Sequence, residues 1–449
     1  MTRIGMNPKK WIEKFCDEFE VIPAEEVIMG IARLGERDFA VYAPNAADGF
    51  ISSTASNDIL KLMERAQSMK IPLIAFLSSP GVKVSEGIKS GEAYTRVIAK
   101  SIELSGFIPQ IAMIMGTTMG APAYTATLMD FVIMNKARSS LMVTGPSVIE
   151  KVIGQKTNLK KLGGSEIHEQ TTGIADFVAK NIEDQIDMLK QLIMLLPSHN
   201  AASVALKESC LPVENIKLPS SPKQSYDIKQ FLNGVLDASY FFEVKAAFAG
   251  SLLTGFGRIN GVLVAILANQ SCVKAGAIDF LAARKAARFI RFTDSFSIPL
   301  INVIDVPGFL PGEDQEHNGL LRYGAQMCQS MQTTTLRLSV IVRRCYGAAA
   351  FVMMQSRAQG GDYVIALKDA RIGIMGYHGA KTMIYPEDQV DRSQEYYKKY
   401  EDPQLALELG IVDEVIAAED VRSALMKQLA QGKNTKKQKN VRKKQVSLI

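Results

Sequence analysis

The chain repeats one stretch of itself at a fixed separation. Ile71 begins the run IPLIAFLSSPG and Ile298 begins IPLINVIDVPG, so the two runs lie 227 residues apart. Further along, Gly120 lies in MGAPAY and Gly347 lies in YGAAAF, which are again 227 residues apart. Because unrelated segments do not keep one offset over about fifty positions, the chain is predicted to contain two copies of one architecture.

Each copy shows the same predicted series: a helix, an apolar strand ending in a Pro-Gly turn, a helix, a second apolar run, and a Gly-Ala turn that opens a third helix. Helices are predicted at 58–69 and 282–296 and at 94–105 and 320–331, and the second apolar runs at 108–115 and 336–342. Continuous apolar strands that alternate with helices favour a mostly parallel sheet covered on both faces. The predicted fold class is therefore α/β, with two tandem domains.

A polar, proline-rich stretch that contains LPSSPKQS separates the two copies. We predict a first domain at 1–200, a linker at 201–226 and a second domain at 227–449, which ends in a basic tail at 433–449. The tail carries seven positive charges with no acid among them, and the formal net charge is +6, so the rest of the chain carries only −1. A nearly neutral body argues against a nucleic-acid-binding face.

Cysteine and histidine usage argues against a disulfide framework and a metal centre. The chain has five widely spaced cysteines and no CxxC pair, which favours a reducing, cytoplasmic setting. Its four histidines lack the spacing of HExxH. The uncharged stretch 104–129 is interrupted by prolines and glycines, so we predict a strand, a turn and a helix there and no membrane span. The N-terminal residues lack the apolar core of a signal peptide.

Gly120-Ala121 and Gly347-Ala348-Ala349 are the candidate catalytic turns. The first N–H groups of a helix have no intrahelical partner and lie at its positive end. Small residues let a ligand oxygen approach these groups, so each turn could serve as an oxyanion hole for an enolate. Alternatively, the small residues only permit close packing of strand and helix. The absence of GxSxG and GxxxxGK[ST] motifs fits a catalyst that relies on backbone dipoles and a cofactor base.

Residues 283–319, ARKAARFIRFTDSFSIPLINVIDVPGFLPGEDQEHNG, resemble the most specific block of the biotin-dependent acyl-CoA carboxyltransferases, the family of the propionyl-CoA carboxylase β subunit and the methylmalonyl-CoA decarboxylase α subunit. TGPSVI, LGGSEIH, LLPSHN and ARIGIMG follow the family's order and spacing. The resemblance implies two tandem crotonase-like (ClpP/crotonase superfamily) domains. It also implies a homo-oligomer, often a hexamer, whose active site forms between the first domain of one subunit and the second domain of another.

The resemblance further implies that CO₂ moves between carboxybiotin and the α-carbon of a short acyl thioester, with biotin N1 as the base; the residue spacing predicts no metal in this chain. The amides of Gly120 and Ala121 would hold the thioester oxygen, and those of Ala348 and Ala349, beside Gly347, would hold the biotin ureido oxygen. Because the chain has no AMKM motif, biotin is expected on a separate carrier protein, with a biotin carboxylase as a further partner.

The departures from the family pattern concern the substrate side. SSPGVKVSEG has Ser78 in place of the family's acid and Lys83 in place of its arginine, and GFISST replaces a glycine-rich segment. Phe351 lies where family members have a residue that lines the acyl pocket, although simple core packing would also explain it. Lys83 and Phe351 are therefore the candidate substrate-binding residues outside the turns.

Three interpretations of function remain open from sequence. The first is carboxylation of a short acyl thioester, the second is biotin-dependent decarboxylation of a malonyl-type thioester, and the third is a non-catalytic paralogue that serves as a scaffold. Asp305 and the pair Arg343-Arg344 could bind a ligand or form structural contacts. The basic tail could be a solvated end, or could contact CoA phosphates or an acidic carrier protein.

Overall fold

The computed structural model describes residues 8–202, 206–219, 221, 224–333, 335–385 and 390–432. The chain divides into two compact units between residues 204 and 205, inside the predicted linker. The predicted basic tail at 433–449 lies outside the described residues. None of the helices in the described ranges is long and apolar enough to cross a membrane.

The first unit is an eight-stranded sheet flanked by helices. Its strands are β1 Glu18–Ile22, β2 Val27–Leu34, β3 Arg37–Pro44, β4 Leu73–Ser79, β5 Gln110–Met119, β6 Phe131–Asn135, β7 Ser140–Met142 and β8 Phe177–Ala179. Its helices are α1 Pro8–Phe15, α2 Ser53–Met69, α3 Ile88–Leu104, α4 Ala121–Leu128, α5 Pro146–Ile153, α6 Leu159–Gly163, α7 Ser165–Gln170 and α8 Ile182–Leu195. The strand order is β1-β2-β3-β4-β5-β6-β8, with β7 paired to β5; pairing is antiparallel up to β3 and parallel beyond it.

The second unit repeats this plan. Its strands are β9 Phe242–Val244, β10 Leu252–Ile259, β11 Val262–Asn269, β12 Leu300–Val306, β13 Arg337–Tyr346, β14 Tyr363–Leu367, β15 Arg371–Gly373 and β16 Glu414–Ile416. Its helices are α9 Lys229–Asn233, α10 Phe280–Ser295, α11 Glu313–His317, α12 Leu320–Ser330, α13 Gly347–Met354, α14 Tyr377–Ile384, α15 Ser393–Tyr396, α16 Pro403–Glu408 and α17 Val421–Gly432. The order is β9-β10-β11-β12-β13-β14-β16, with β15 paired to β13.

The 227-residue offset extends to local structural details. Ser52 caps α2 by accepting a hydrogen bond from the amide of Ala55, and Asp279 caps α10 in the same way from Ala282. A bulge shifts the β4–β5 register after Leu77, and an equivalent bulge shifts the β12–β13 register after Ile304. The duplication predicted from sequence is therefore visible at the level of caps and bulges.

The predicted apolar runs form the buried central strands, but β5 continues past the predicted end at 115. Its polar continuation through Thr117 and Thr118 remains a strand because β7 pairs with it there, with Thr117 opposite Ser140 and Thr118 opposite Leu141. Strand pairing thus overrides the local loss of hydrophobicity. The uncharged stretch 104–129 forms β5, a turn and α4, as predicted.

Asp305, at the end of β12, is fully buried and joins this strand to β13. Its Oδ2 accepts from Arg343 Nη2 at 2.8 Å and Nε at 3.1 Å, and its Oδ1 accepts from Arg344 Nε at 2.7 Å. The Arg343 guanidinium also stacks over the Tyr226 ring, with 4.6 Å to its centroid. The structure therefore gives Asp305, Arg343 and Arg344 a structural role as an ion-pair cluster.

We predict that Asp305→Asn lowers the free energy of unfolding of the second unit by about 3–5 kcal/mol, because it leaves a buried guanidinium without a counter-charge. Urea denaturation followed by circular dichroism measures this change. Glu92→Gln, which breaks the exposed pair with Arg96, serves as the control and should cost less than about 1 kcal/mol. An Asp305→Asn effect as small as that of the control would contradict the structural role.

Candidate active site

The first candidate turn joins β5 to α4. Gly120 has φ +65° and ψ −138°, a conformation that residues with a side chain rarely adopt. Its N–H donates to the carbonyl oxygens of Met142 at 3.2 Å and Val143 at 3.1 Å, and so is already hydrogen-bonded. For the N–H of Ala121 no loop, turn or side-chain acceptor is found within the described part of the chain, and Pro122 has no N–H. Ala121 is therefore the donor that this turn offers to a ligand.

The second candidate turn joins β13 to α13. Gly347 has φ +64°, almost the value of Gly120, so both turns place a glycine in the positive-φ region. The parallel pairing of Tyr346 with Gly373 directs the Gly347 amide to the Gly373 carbonyl, whereas no loop, turn or side-chain acceptor is found for the amides of Ala348 and Ala349 among the described residues. Ala348 is exposed to solvent, whereas Ala349 is buried. The exposed Ala348 amide lies where the positive end of the helix dipole favours a partly negative oxygen.

A short strand lies beside each turn. In the first unit β7 pairs with the last three residues of β5, and in the second unit β15 pairs with the last three residues of β13. Met142 ends β7, so the position of β7 sets the carbonyl that holds the Gly120 amide. Whatever fixes these two strands therefore also fixes the turns.

The LGGSEIH motif fixes β7. A Cβ atom on Gly163 would lie 2.1 Å from the carbonyl oxygen of Leu141, so only glycine allows α6 to approach β7 this closely. Buried His168 places Nε2 2.7 Å from that same oxygen and Nδ1 2.9 Å from Thr172 Oγ1. Since a carbonyl oxygen only accepts, Nε2 carries the proton and donates a hydrogen bond to the carbonyl of Leu141. No sequence pattern assigned a role to His168, although its position in LGGSEIH could have pointed to it.

Lys83 and Phe351 lie in different units. Lys83 Nζ is 3.5 Å from Glu26 Oε1 and 4.0 Å from Asp48 Oδ2, in a partly exposed ion-pair group next to the altered GFISST segment. Phe351 is 41% exposed on α13, one turn after the second candidate turn, so core packing does not account for it. Among the described residues, no group of three or more His, Cys, Asp or Glu side chains is arranged to hold a metal ion.

Burial lowers the pKa of His168, so the folded unit favours the neutral ring while the unfolded chain takes up a proton at about pH 6.5. The stability from His168 is present above the unfolded-state pKa and is lost as the pH falls towards the folded-state value. We predict that the difference in unfolding free energy between wild type and His168→Gln shrinks between pH 7 and pH 5, as measured by urea denaturation. For Gln170→Ala, an exposed change that alters no titratable group, this difference should stay constant. A constant difference for His168→Gln would contradict the prediction.

Several known proteins are similar to this chain over most of its length. The carboxyl transferase domain family matches residues 9–447. The propionyl-CoA carboxylase carboxyltransferase subunit of Haloferax mediterranei is 36% identical over 94% of this chain and 86% of its own. The methylmalonyl-CoA decarboxylase subunit alpha of Veillonella parvula is 34% identical over 93% of this chain and 84% of its own.

A solved structure of transcarboxylase 12S, described as a hexamer with methylmalonyl-coenzyme A and methylmalonic acid bound, superposes with a TM-score of 0.94. It is 30% identical, and the match covers 98% of this chain and 92% of that one. The predicted pair of crotonase-like α/β domains and the predicted resemblance are both confirmed. The chain therefore belongs to the carboxyl transferase domain family, that of the biotin-dependent acyl-CoA carboxyltransferase subunits.

Proposed function

We propose that this protein transfers a carboxyl group between biotin, carried on another chain, and the α-carbon of a short acyl-CoA. The observation that carries the proposal is the pair of equivalent turns, each of which opens a helix with an amide for which no loop, turn or side-chain acceptor is found in the described part of the chain. An enolate and a ureido group both present a partly negative oxygen, which is the kind of ligand that such amides stabilise. With two such turns, the protein could bind both the enolate oxygen and the ureido oxygen.

Biotin, when bound, supplies the carboxyl group and the base. The amide of Ala121 would hold the thioester oxygen and stabilise the negative charge that develops there when the α-proton leaves. Gly120 would set the direction of that amide, because its own N–H is held by Met142 and Val143. The amides of Ala348 and Ala349 would hold the ureido oxygen, and Gly347 would leave room for it.

Exposed apolar helices support assembly into an oligomer. No side chain of α5 is buried, and Val152 and Ile153 are 74% and 67% exposed. In the second unit Ile374 and Met383, before and within α14, are 74% and 75% exposed. Contiguous exposed apolar surface is typical of interaction sites. We propose that further copies of this chain cover these helices, in a hexamer like that described for transcarboxylase 12S.

The partners that we propose are a biotin carrier protein and a biotin carboxylase. All five cysteines are free thiols, and this fits a cytoplasmic location. Decarboxylation of a malonyl-type thioester is the second candidate, because a methylmalonyl-CoA decarboxylase subunit is as similar to this chain as several propionyl-CoA carboxylase subunits.

The direct test incubates the purified protein with a biotin carrier protein labelled with ¹⁴CO₂ on biotin and with acetyl-, propionyl- and butyryl-CoA. Transfer of label to one acyl-CoA supports carboxylation. A reverse reaction supplies malonyl-CoA or methylmalonyl-CoA labelled with ¹⁴C in the free carboxyl group, together with uncarboxylated carrier, and label that moves only in this direction supports decarboxylation. If no label moves in either direction, the protein is a scaffold and the proposal is wrong.

We predict that Ala348→Pro lowers kcat about 10²–10³-fold, the usual cost of removing one oxyanion-hole donor. Proline is tolerated in the first turn of a helix, so the fold should persist. Steady-state transfer rates measure the loss, and circular dichroism checks the fold. The matched control Ala348→Gly keeps the N–H and should stay within a few-fold of wild type. A folded Ala348→Pro variant with full activity would rule out the assigned donor.

We predict that Phe351→Ala changes the preference between acetyl-CoA and propionyl-CoA about 10–200-fold, because one methylene in an apolar pocket contributes about 1–3 kcal/mol. Ratios of kcat/KM measure this preference. Leu321→Ala, an exposed change on α12, is the control and should leave the ratio unchanged. Lys83→Ala should instead raise KM for every acyl-CoA alike, because its charge would act on the CoA part. If Lys83→Ala changed the acyl preference and Phe351→Ala did not, the roles assigned to the two residues would be reversed.

A further inference from the structure

The tyrosine that precedes the second turn is hydrogen-bonded through its hydroxyl to a buried carboxylate. Tyr346 Oη donates to Glu401 Oε1 at 2.9 Å, and Glu401 has no exposed surface. Arg371 Nη1 lies 3.3 Å from Glu401 Oε2 and is itself 30% exposed. Burial, together with the neighbouring carboxylate, raises the pKa of Tyr346 far above its usual value, so the phenol remains a neutral donor.

These three residues come from three elements that meet beside the turn. Tyr346 is the last residue of β13, Arg371 is the first of β15, and Glu401 ends a π-helical turn, Tyr397–Glu401. In the strand pairing, Arg344 lies opposite Arg371 and Tyr346 lies opposite Gly373. One carboxylate therefore fixes the end of β13 and the start of the strand that pairs with it.

The buried Tyr346 ring packs against Gly376. A Cβ atom on Gly376 would lie 3.4 Å from the ring, and one on Gly373 would lie 3.3 Å from the carbonyl oxygen of Tyr400. The Tyr396 hydroxyl donates to the carbonyl of Met375 at 2.7 Å, and this bond holds the residue that precedes Gly376. Packing thus restricts the ring, and the hydrogen bond to Glu401 fixes its end.

A buried carboxylate is costly to desolvate, and one partly exposed arginine offsets that cost only in part. Apolar residues of similar volume would often serve stability as well or better. What the carboxylate adds is direction, because it accepts from both a phenol and a guanidinium at fixed angles. The first unit has no such group, since the residue that corresponds to Tyr346 is Met119, 227 positions earlier.

We infer that Glu401 is a positioning residue for the second turn, acting through Tyr346 on the amides of Ala348 and Ala349. The inference rests on the proposed function, in which these amides hold the biotin ureido oxygen. Tyr346 precedes Gly347 directly, so rotation of its backbone would turn the following amides away from the ligand. A hole donor must lie about 2.7–3.1 Å from its oxygen, and a displacement of about 1 Å can cost about 10²-fold in rate.

The test measures carboxyl transfer from malonyl-CoA or methylmalonyl-CoA, whichever wild type uses, to free D-biotin, and it determines kinetic constants for both substrates. We expect Glu401→Ala and Tyr346→Phe each to lower kcat/KM for D-biotin about 10–100-fold, while KM for the acyl-CoA stays within twofold. Glu401→Gln keeps an acceptor for the phenol and should recover most of the loss. A merely structural role would affect both substrates alike and would show no such rescue.

Glu414→Ala is the matched control. Glu414 accepts from the Tyr363 hydroxyl at 3.1 Å in the same unit. Tyr363 lies on β14 and Glu414 on β16, away from the turn. This variant should leave both substrates unaffected. Unchanged D-biotin kinetics in a folded Tyr346→Phe variant would overturn the inference even if Glu401→Ala fails to fold.

A second measurement separates this inference from the proposed function. Calorimetric titration with D-biotin reports binding without catalysis. If wild type binds D-biotin but transfers no carboxyl group, the proposed reaction fails, and weaker binding by Glu401→Ala but not by Glu414→Ala would still support the positioning role. If the two variants bind D-biotin equally, or if wild type binds no D-biotin, the inference is wrong.

Discussion

The parallel pairing of two central strands is the interaction on which the rest of each unit depends. β4 pairs with β5 and β12 with β13, and in both pairs a bulge shifts the register just before the strands end. The longer strand then runs into a glycine with φ near +65° and directly into a helix. Because the pairing fixes where the strand ends, it also fixes where the first helical amides point. The candidate chemistry is thus a consequence of backbone geometry.

The two units stabilise this shared geometry with different chemistry. The first uses close approach and neutral hydrogen bonds, with Gly163 and His168 against the carbonyl of Leu141. The second uses buried charge, with Asp305 between two arginines and Glu401 between a phenol and an arginine. The positions that correspond to Asp305 and Arg343 in the first unit are Ser78 and Gly116, which cannot form that pair. The second turn therefore depends on charged groups that the first does not need.

Much of the candidate site follows from short stretches of sequence. A strand, a glycine and a run of small residues are contiguous, so Gly120-Ala121 and Gly347-Ala348-Ala349 could be identified without a structure. Lys83 and Phe351 were found only as departures from a family pattern, because neither has a local signature of binding. Asp305 and Arg343-Arg344 stayed ambiguous from sequence, since their pairing joins residues 38 and 39 positions apart.

The sequence by itself determined the duplication, the α/β class and the two turns, because a repeat offset, apolar periodicity and a run of small residues after a strand can all be found in the order of residues alone. Only the tertiary structure decided that the Gly120 amide is already held by the carbonyls of Met142 and Val143, which makes Ala121 the candidate donor. It alone also decided that His168 and Glu401 support the two turns, across 27 and 55 positions of chain. The physical reason is that hydrogen bonds between distant segments form only after the sheet has brought those segments together, and no local pattern of residues encodes that.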